Sequence, residues 1–141
     1  MSQLALIYPL FCQVALTFVL MLWMMRLRYG ALTSRQVRLG DIALGQPAWP
    51  AQTTQASNCF RNQFELPVLF YVLVLLVLTT RINDVVLVVL AWAFVISRVV
   101  HAYIHTGRND VRMRGAVYGI GALLIVVMWV WFIVRFLSAA A

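Results

Sequence analysis

The sequence predicts an all-α integral membrane protein, a bundle of four transmembrane helices forming one domain over residues 1–141. Of its 141 residues, 64% are hydrophobic and 11% are charged, and the mean hydropathy is +0.91. A soluble domain of this size needs a far more polar surface. The apolar residues fall into long blocks, as a lipid-exposed chain requires. There are four such blocks, each close to the ~20 residues that carry a helix across a ~30 Å hydrocarbon layer.

The first span covers roughly residues 4–25 and contains Pro9. No basic residue precedes it, its apolar stretch is too long for a signal peptide, and no small-residue cleavage site is evident, so it reads as retained. The second span covers roughly residues 60–80, the third roughly 85–102 and the fourth roughly 117–137. All four are expected to be helical, because lipid offers no partner to an unpaired N–H or C=O. The third is rich in valine, which in water would suggest a strand. Its length and its neighbours argue against a barrel, whose strands would alternate.

The connections are unequal. Only "TRIND" separates the second and third spans, which predicts an antiparallel helical hairpin. The polar stretch over residues 26–58 carries Gly30, Gly40, Gly45, Pro47 and Pro50, and reads as a loop with one short helical piece. "HTGRNDVRMRG" joins the third and fourth spans.

All eleven basic residues are arginine, and the net charge is +7. Nine of them (Arg26, Arg28, Arg35, Arg38, Arg61, Arg98, Arg108, Arg112 and Arg114) lie in or beside the two longer loops, against Arg81 and Arg135 towards the other face. This bias predicts cytoplasmic loops with both termini outside. The charge is then explained by topology and by anionic headgroups of the lipid bilayer, without nucleic acid as a partner. Arginine without lysine suggests a GC-rich, bacterial genome, hence a bacterial inner membrane. Cys12 and Cys59 are far apart and match no metal or redox spacing.

Polar residues inside or beside the spans carry the functional question. Asn58, Asn62 and Glu65, spaced four and three apart, form one stripe on the second helix. Arg98, His101 and His105 form another on the third, and Arg114 and Tyr118 lie one turn apart on the fourth. A charge facing lipid costs at least ~2.5 kcal/mol even on the mildest scale, so these stripes should face each other or a wet cavity, with Glu65 inward near arginines. One reading is structural: a Glu65–Arg98 ion pair with Asn62 as an interhelical hydrogen-bonding group. The other is functional. Arg61, Arg98, Arg112 and Arg114 exceed what one glutamate needs, and suit a small ligand bearing carboxylates and one ammonium group. His101 and His105 with Glu65 make only a weak metal-ligand pattern, and the neighbouring arginines would repel a dication, so no metal is expected.

"FRNQFELPVLFY", "SRVVHAYIHTG" and "RMRGAVYGIG" together resemble the MAPEG family, the membrane-associated proteins in eicosanoid and glutathione metabolism, over nearly the whole chain. The loop "RQVRLGDIALG" resembles the bacterial branch. The resemblance implies a homotrimeric helical bundle that binds glutathione as cosubstrate on the cytoplasmic side, in clefts between subunits. By motif match, Glu65 would take the γ-glutamyl ammonium, and Arg61 and Asn62 the polar and carboxylate groups. His101 would line the cleft, supported by Arg98. His105 falls where the eicosanoid enzymes carry a ligand-contacting tyrosine. Tyr118 completes the third motif, and Arg38 would reach the ligand from a neighbouring subunit. Arg114 would be the catalytic residue beside the glutathione sulfur: a guanidinium favours the thiolate, the nucleophilic form. A hydrophobic cosubstrate would enter from the bilayer. Gly115 stands where the prostaglandin E synthase branch has serine, which argues for transferase or peroxidase activity on hydrophobic electrophiles. The competing expectation is a non-enzymatic accessory or assembly subunit of a membrane complex, with its polar residues paired to one another and no cleft.

Overall fold

A computed structural model describes residues 3–45, 47–82 and 84–140, apart from the side chains of Gln3 and Ala140. The described residues are helical throughout the apolar blocks: α1 (Ile7–Thr33), α2 (Ala51–Arg61), α3 (Leu66–Thr80), α4 (Val85–Thr106) and α5 (Val111–Ala140). Four continuous or near-continuous helical segments are long and apolar enough to cross a membrane: Leu4–Thr33, Ala51–Thr80, Val85–Thr106 and Val111–Ala139. Their outer faces present Phe11, Phe18, Leu22, Val89, Ile96, Leu123 and Val130 to the surroundings. A surface this apolar is stable only against lipid or another apolar protein. The chain is an all-α integral membrane protein with a four-helix transmembrane bundle.

The stretch over residues 26–58 departs from the loop expected of it. α1 runs on to Thr33, α2 begins at Ala51, and a 3-10 turn occupies Leu39–Asp41. Gly30 costs a helix only about 1 kcal/mol, too little to stop one that packs its polar extension against α2. Turns and irregular chain occupy residues 34–38, 42–45 and 47–50 on either side of that 3-10 turn; Gly45 has φ +78 and Pro50 precedes α2. Arg28 fastens this region, lying 5.1 Å from the Trp49 ring centroid and donating to Ser57 Oγ at 3.2 Å.

The second span is not one straight helix. α2 passes into a 3-10 turn at Asn62–Phe64, and Glu65 (φ −102, ψ −102) breaks the path before α3 starts. Pro67 lies in the first turn of α3, where its missing N–H has no intrahelical partner to lose. The stripe expected of Asn58, Asn62 and Glu65 is therefore not a continuous helical face. Asn58 and Glu65 are exposed and Asn62 is half-buried.

α3 and α4 are joined across the short segment at Arg81–Asp84, with Arg81 in a left-handed conformation that ends α3. Asp84 caps α4 by accepting from the Val86 N–H at 2.8 Å. Its other oxygen meets Arg135 Nε at 3.0 Å and accepts from Trp131 Nε1 at 3.0 Å. This clamp ties the start of α4 to the far part of α5. The core lies between α3, α4 and α5: Phe70 stacks on Phe94 at 4.9 Å, surrounded by Leu73, Val77, Leu87, Ala91, Ile125 and Met128. The start of α1, the end of α3, the start of α4 and the end of α5 share one end of the bundle, where Leu6 joins the core cluster of Val77 and Leu87, and Asp84 meets Arg135. The two longer connections, with the polar motifs, share the other.

Candidate functional site

The site forms where the break after α2, the end of α4 and the start of α5 converge. Asp110 begins α5: its Oδ1 accepts from the N–H groups of Arg112 at 2.9 Å and Met113 at 3.1 Å. That cap satisfies donors left over by the first helical turn. It also fixes where Arg114 stands. Asn109, in a left-handed conformation that asparagine tolerates, accepts from Arg114 Nη1 at 2.7 Å. Asn109 thus aims the guanidinium from the preceding turn.

Tyr118 is the hub of the cluster. Its hydroxyl donates to Glu65 Oε2 at 3.0 Å. Its ring lies 5.8 Å from the His101 ring, and Arg98 Cζ lies 5.5 Å from its centroid. His101 and His105 meet edge to face at 5.6 Å. His105 Nδ1 lies 3.4 Å from Asn62 Nδ2, and Gln55 holds the end of α4 by donating to the carbonyls of His105 at 2.6 Å and Gly107 at 3.0 Å.

Arg98 is wholly buried, at 0% exposure. Its Nη2 lies 3.2 Å from His101 Nδ1. A guanidinium can only donate, so Nδ1 accepts and the neutral ring carries its proton on Nε2. Nε and Nη1 of Arg98 have no hydrogen-bond partner among the described residues. Room for this side chain comes from Gly121: a Cβ there would lie 3.2 Å from Ser97 Oγ and 3.6 Å from Arg98 Nη1.

Asn62, His101, Val111, Arg114, Gly115 and Tyr118 line a cleft of about 260 Å³. Four of the residues singled out in the sequence thus share one cavity. Arg98 backs it through His101, His105 adjoins it through Asn62, and Glu65 adjoins it through Tyr118. Arg61, next to Asn62 at the end of α2, is exposed and is not part of that lining on the single chain. Arg38 is exposed beside a separate hollow with Leu32, Arg35, Val37 and Leu39.

Two expectations need correcting. Glu65 does not turn inward: it is exposed on the single chain, and its hydrogen-bond partner is Tyr118, whose ring also faces Arg98. The alternative Glu65–Arg98 ion pair is not formed either. The helix break at Glu65 carries its carboxylate to Tyr118, while Arg98 turns to His101 on its own helix. Nor do three His, Cys, Asp or Glu side chains converge as a metal-ligand group among the described residues.

Some contributors escaped sequence reasoning. Asn109 and Gln55 sit in polar stretches where nothing marks an individual residue. Gln13 and Gln63 were legible in principle, since an amide within an apolar span demands a partner. Each is 0% exposed, and Gln13 Nε2 donates to Gln63 Oε1 at 3.0 Å.

The family model of the MAPEG family matches residues 6–134. No curated protein and no solved structure matches the chain. The matched region covers nearly all of the four membrane helices and every residue lining the cleft, so the chain belongs to the MAPEG family and is a membrane protein of the glutathione and eicosanoid metabolism kind.

Proposed function

We propose that the protein is a glutathione-binding membrane enzyme, a glutathione transferase or glutathione-dependent peroxidase acting on hydrophobic electrophiles. It works as a homotrimer in a bacterial inner membrane, with both termini outside and both longer loops cytoplasmic. The observation that carries this reading is the Arg114 guanidinium, held by Asn109 at 2.7 Å, on a cleft shared with Asn62, His101 and Tyr118. Glu65 takes the ligand's ammonium, Asn62 and Arg61 its carboxylates, and Arg38 of a neighbouring subunit closes the site. His101, His105 and Arg98 form the wall.

The chemistry follows from the charge. A thiol with a pKa of ~8.5 is mostly protonated at neutral pH. A fixed guanidinium stabilises the thiolate as the proton leaves to solvent, and accepts no proton itself. In transfer, the thiolate sulfur forms a bond to the electrophilic carbon and the leaving group departs with its electron pair. In peroxide reduction, two glutathione molecules are oxidised to the disulfide while an organic hydroperoxide is reduced to alcohol and water.

A second reading has its own support. Tyr118 with Glu65, Arg114 with Asn109, and Arg98 with His101 pair within the chain, as in a non-enzymatic accessory subunit. Turnover separates the two. Purified protein in detergent is assayed for glutathione consumption with an activated aryl halide and with an organic hydroperoxide. Turnover that Arg114→Ala reduces at least tenfold supports the enzyme. Absence of turnover with both electrophile classes, by a folded oligomer that binds glutathione, favours the accessory role.

A further inference from the structure

The helix break that presents Asn62 and Glu65 lies within a membrane-crossing segment, and something must hold it open. In lipid, a broken helix leaves main-chain groups without water to satisfy them. Among the described residues, the side chain that answers this is Gln63. It lies inside the 3-10 turn at 0% exposure, and its Nε2 donates to the Cys59 carbonyl at 3.2 Å. Cys59 is four residues earlier, so its carbonyl is the one that the Gln63 N–H would engage in an unbroken α-helix. The side-chain amide thus supports the carbonyl at the point where the ladder changes. The other end of the same amide accepts from Gln13 Nε2 on α1 at 3.0 Å. Gln13 is also 0% exposed, and its own carbonyl accepts from the Thr17 hydroxyl at 3.0 Å.

We infer that Gln13 and Gln63 are positioning residues for the ligand site: their paired amides set the backbone break that aims Asn62 at the cleft and Glu65 at Tyr118. This rests on the reading of that cleft as a glutathione site. Neither glutamine lines the cleft. Both act through Asn62 and Glu65, which flank Gln63 in sequence. An apolar pair in their place removes the bond to Cys59 and the bond to α1 together, and leaves no orphaned amide. The helix is then free to draw the break straighter and rotate Asn62 away.

The test uses the double variant Gln13→Leu/Gln63→Leu in the full-length protein, because exchanging both partners for apolar groups of similar size tends to preserve folding. Val77→Ala, in the core at the other end of α3, serves as a purely structural control. Glutathione affinity is measured by calorimetry and hydrogen exchange over residues 59–67 by mass spectrometry. The inference predicts at least tenfold weaker binding by the double variant, with faster exchange over 59–67. Val77→Ala should lower thermal stability and leave affinity within twofold. Unchanged affinity and unchanged exchange in the double variant would overturn it. If the wild-type protein does not bind glutathione, the ligand reading fails, and hydrogen exchange alone decides whether the amide pair holds the break.

Discussion

The hydroxyl of Tyr118 donates to Oε2 of Glu65 at 3.0 Å, joining α5 to the break in the second membrane segment. The same ring packs beside His101 and Arg98. Tyr118→Phe keeps the ring and removes only the donor. One hydrogen bond contributes about 1 kcal/mol, so glutathione affinity should fall roughly fivefold. Calorimetry on the folded variant checks this; an unchanged dissociation constant would remove Tyr118 from the positioning of Glu65.

In the proposed mechanism Arg114 acts on the glutathione sulfur. Arg114→Ala should abolish the ultraviolet thiolate band of bound glutathione at neutral pH, whereas Arg114→Lys should retain part of it as a point charge without the guanidinium fork. Asn109→Ala should weaken the band, because it frees the Arg114 side chain from its 2.7 Å restraint. A full thiolate band in Arg114→Ala would place the activating charge elsewhere.

Asp84 carries three contacts at the opposite end of the bundle: a cap to Val86 N–H, an ion pair with Arg135 and an acceptor for Trp131. Asp84→Ala should cost about 1–2 kcal/mol, mostly through the lost cap. Arg135, half exposed on its side, should cost less than about 1 kcal/mol on replacement by alanine. Unfolding in mixed micelles orders the two variants.

Gly121 makes room for Ser97 and Arg98. A Cβ would meet Ser97 Oγ at 3.2 Å, a gap that a small shift can absorb. Gly121→Leu cannot be absorbed and should cost about 1–3 kcal/mol. Its thermal midpoint should fall well below that of Gly121→Ala.

The four-helix membrane architecture was legible because lipid imposes one rule on every segment: long, apolar and helical. The cleft was legible in outline because charged and amide side chains at the ends of such spans must find partners or water. Asn62, His101, Arg114 and Tyr118 were singled out in this way and line one cavity. What could not be read was direction. Helical periodicity projects Asn62 and Glu65 onto one face only if the helix is continuous, and the 3-10 turn with Glu65 at its exit removes that premise. Helix ends were illegible for a related reason. Membrane composition marks where lipid stops, and α1 and α2 continue beyond that point through contacts such as Arg28 with Trp49 and Ser57.

Glutathione binding in the proposed site rests on Glu65 and Arg114. The most direct measurement is calorimetric titration of glutathione into the detergent-purified protein, beside Glu65→Gln and Arg114→Ala. Micromolar to millimolar binding by the wild type is expected, weakened at least tenfold by Glu65→Gln, which keeps the hydrogen bond to Tyr118 but loses the charge, and weakened also by Arg114→Ala, with all three proteins folded. A folded wild type that takes up no glutathione, or binding that neither substitution alters, would contradict that assignment.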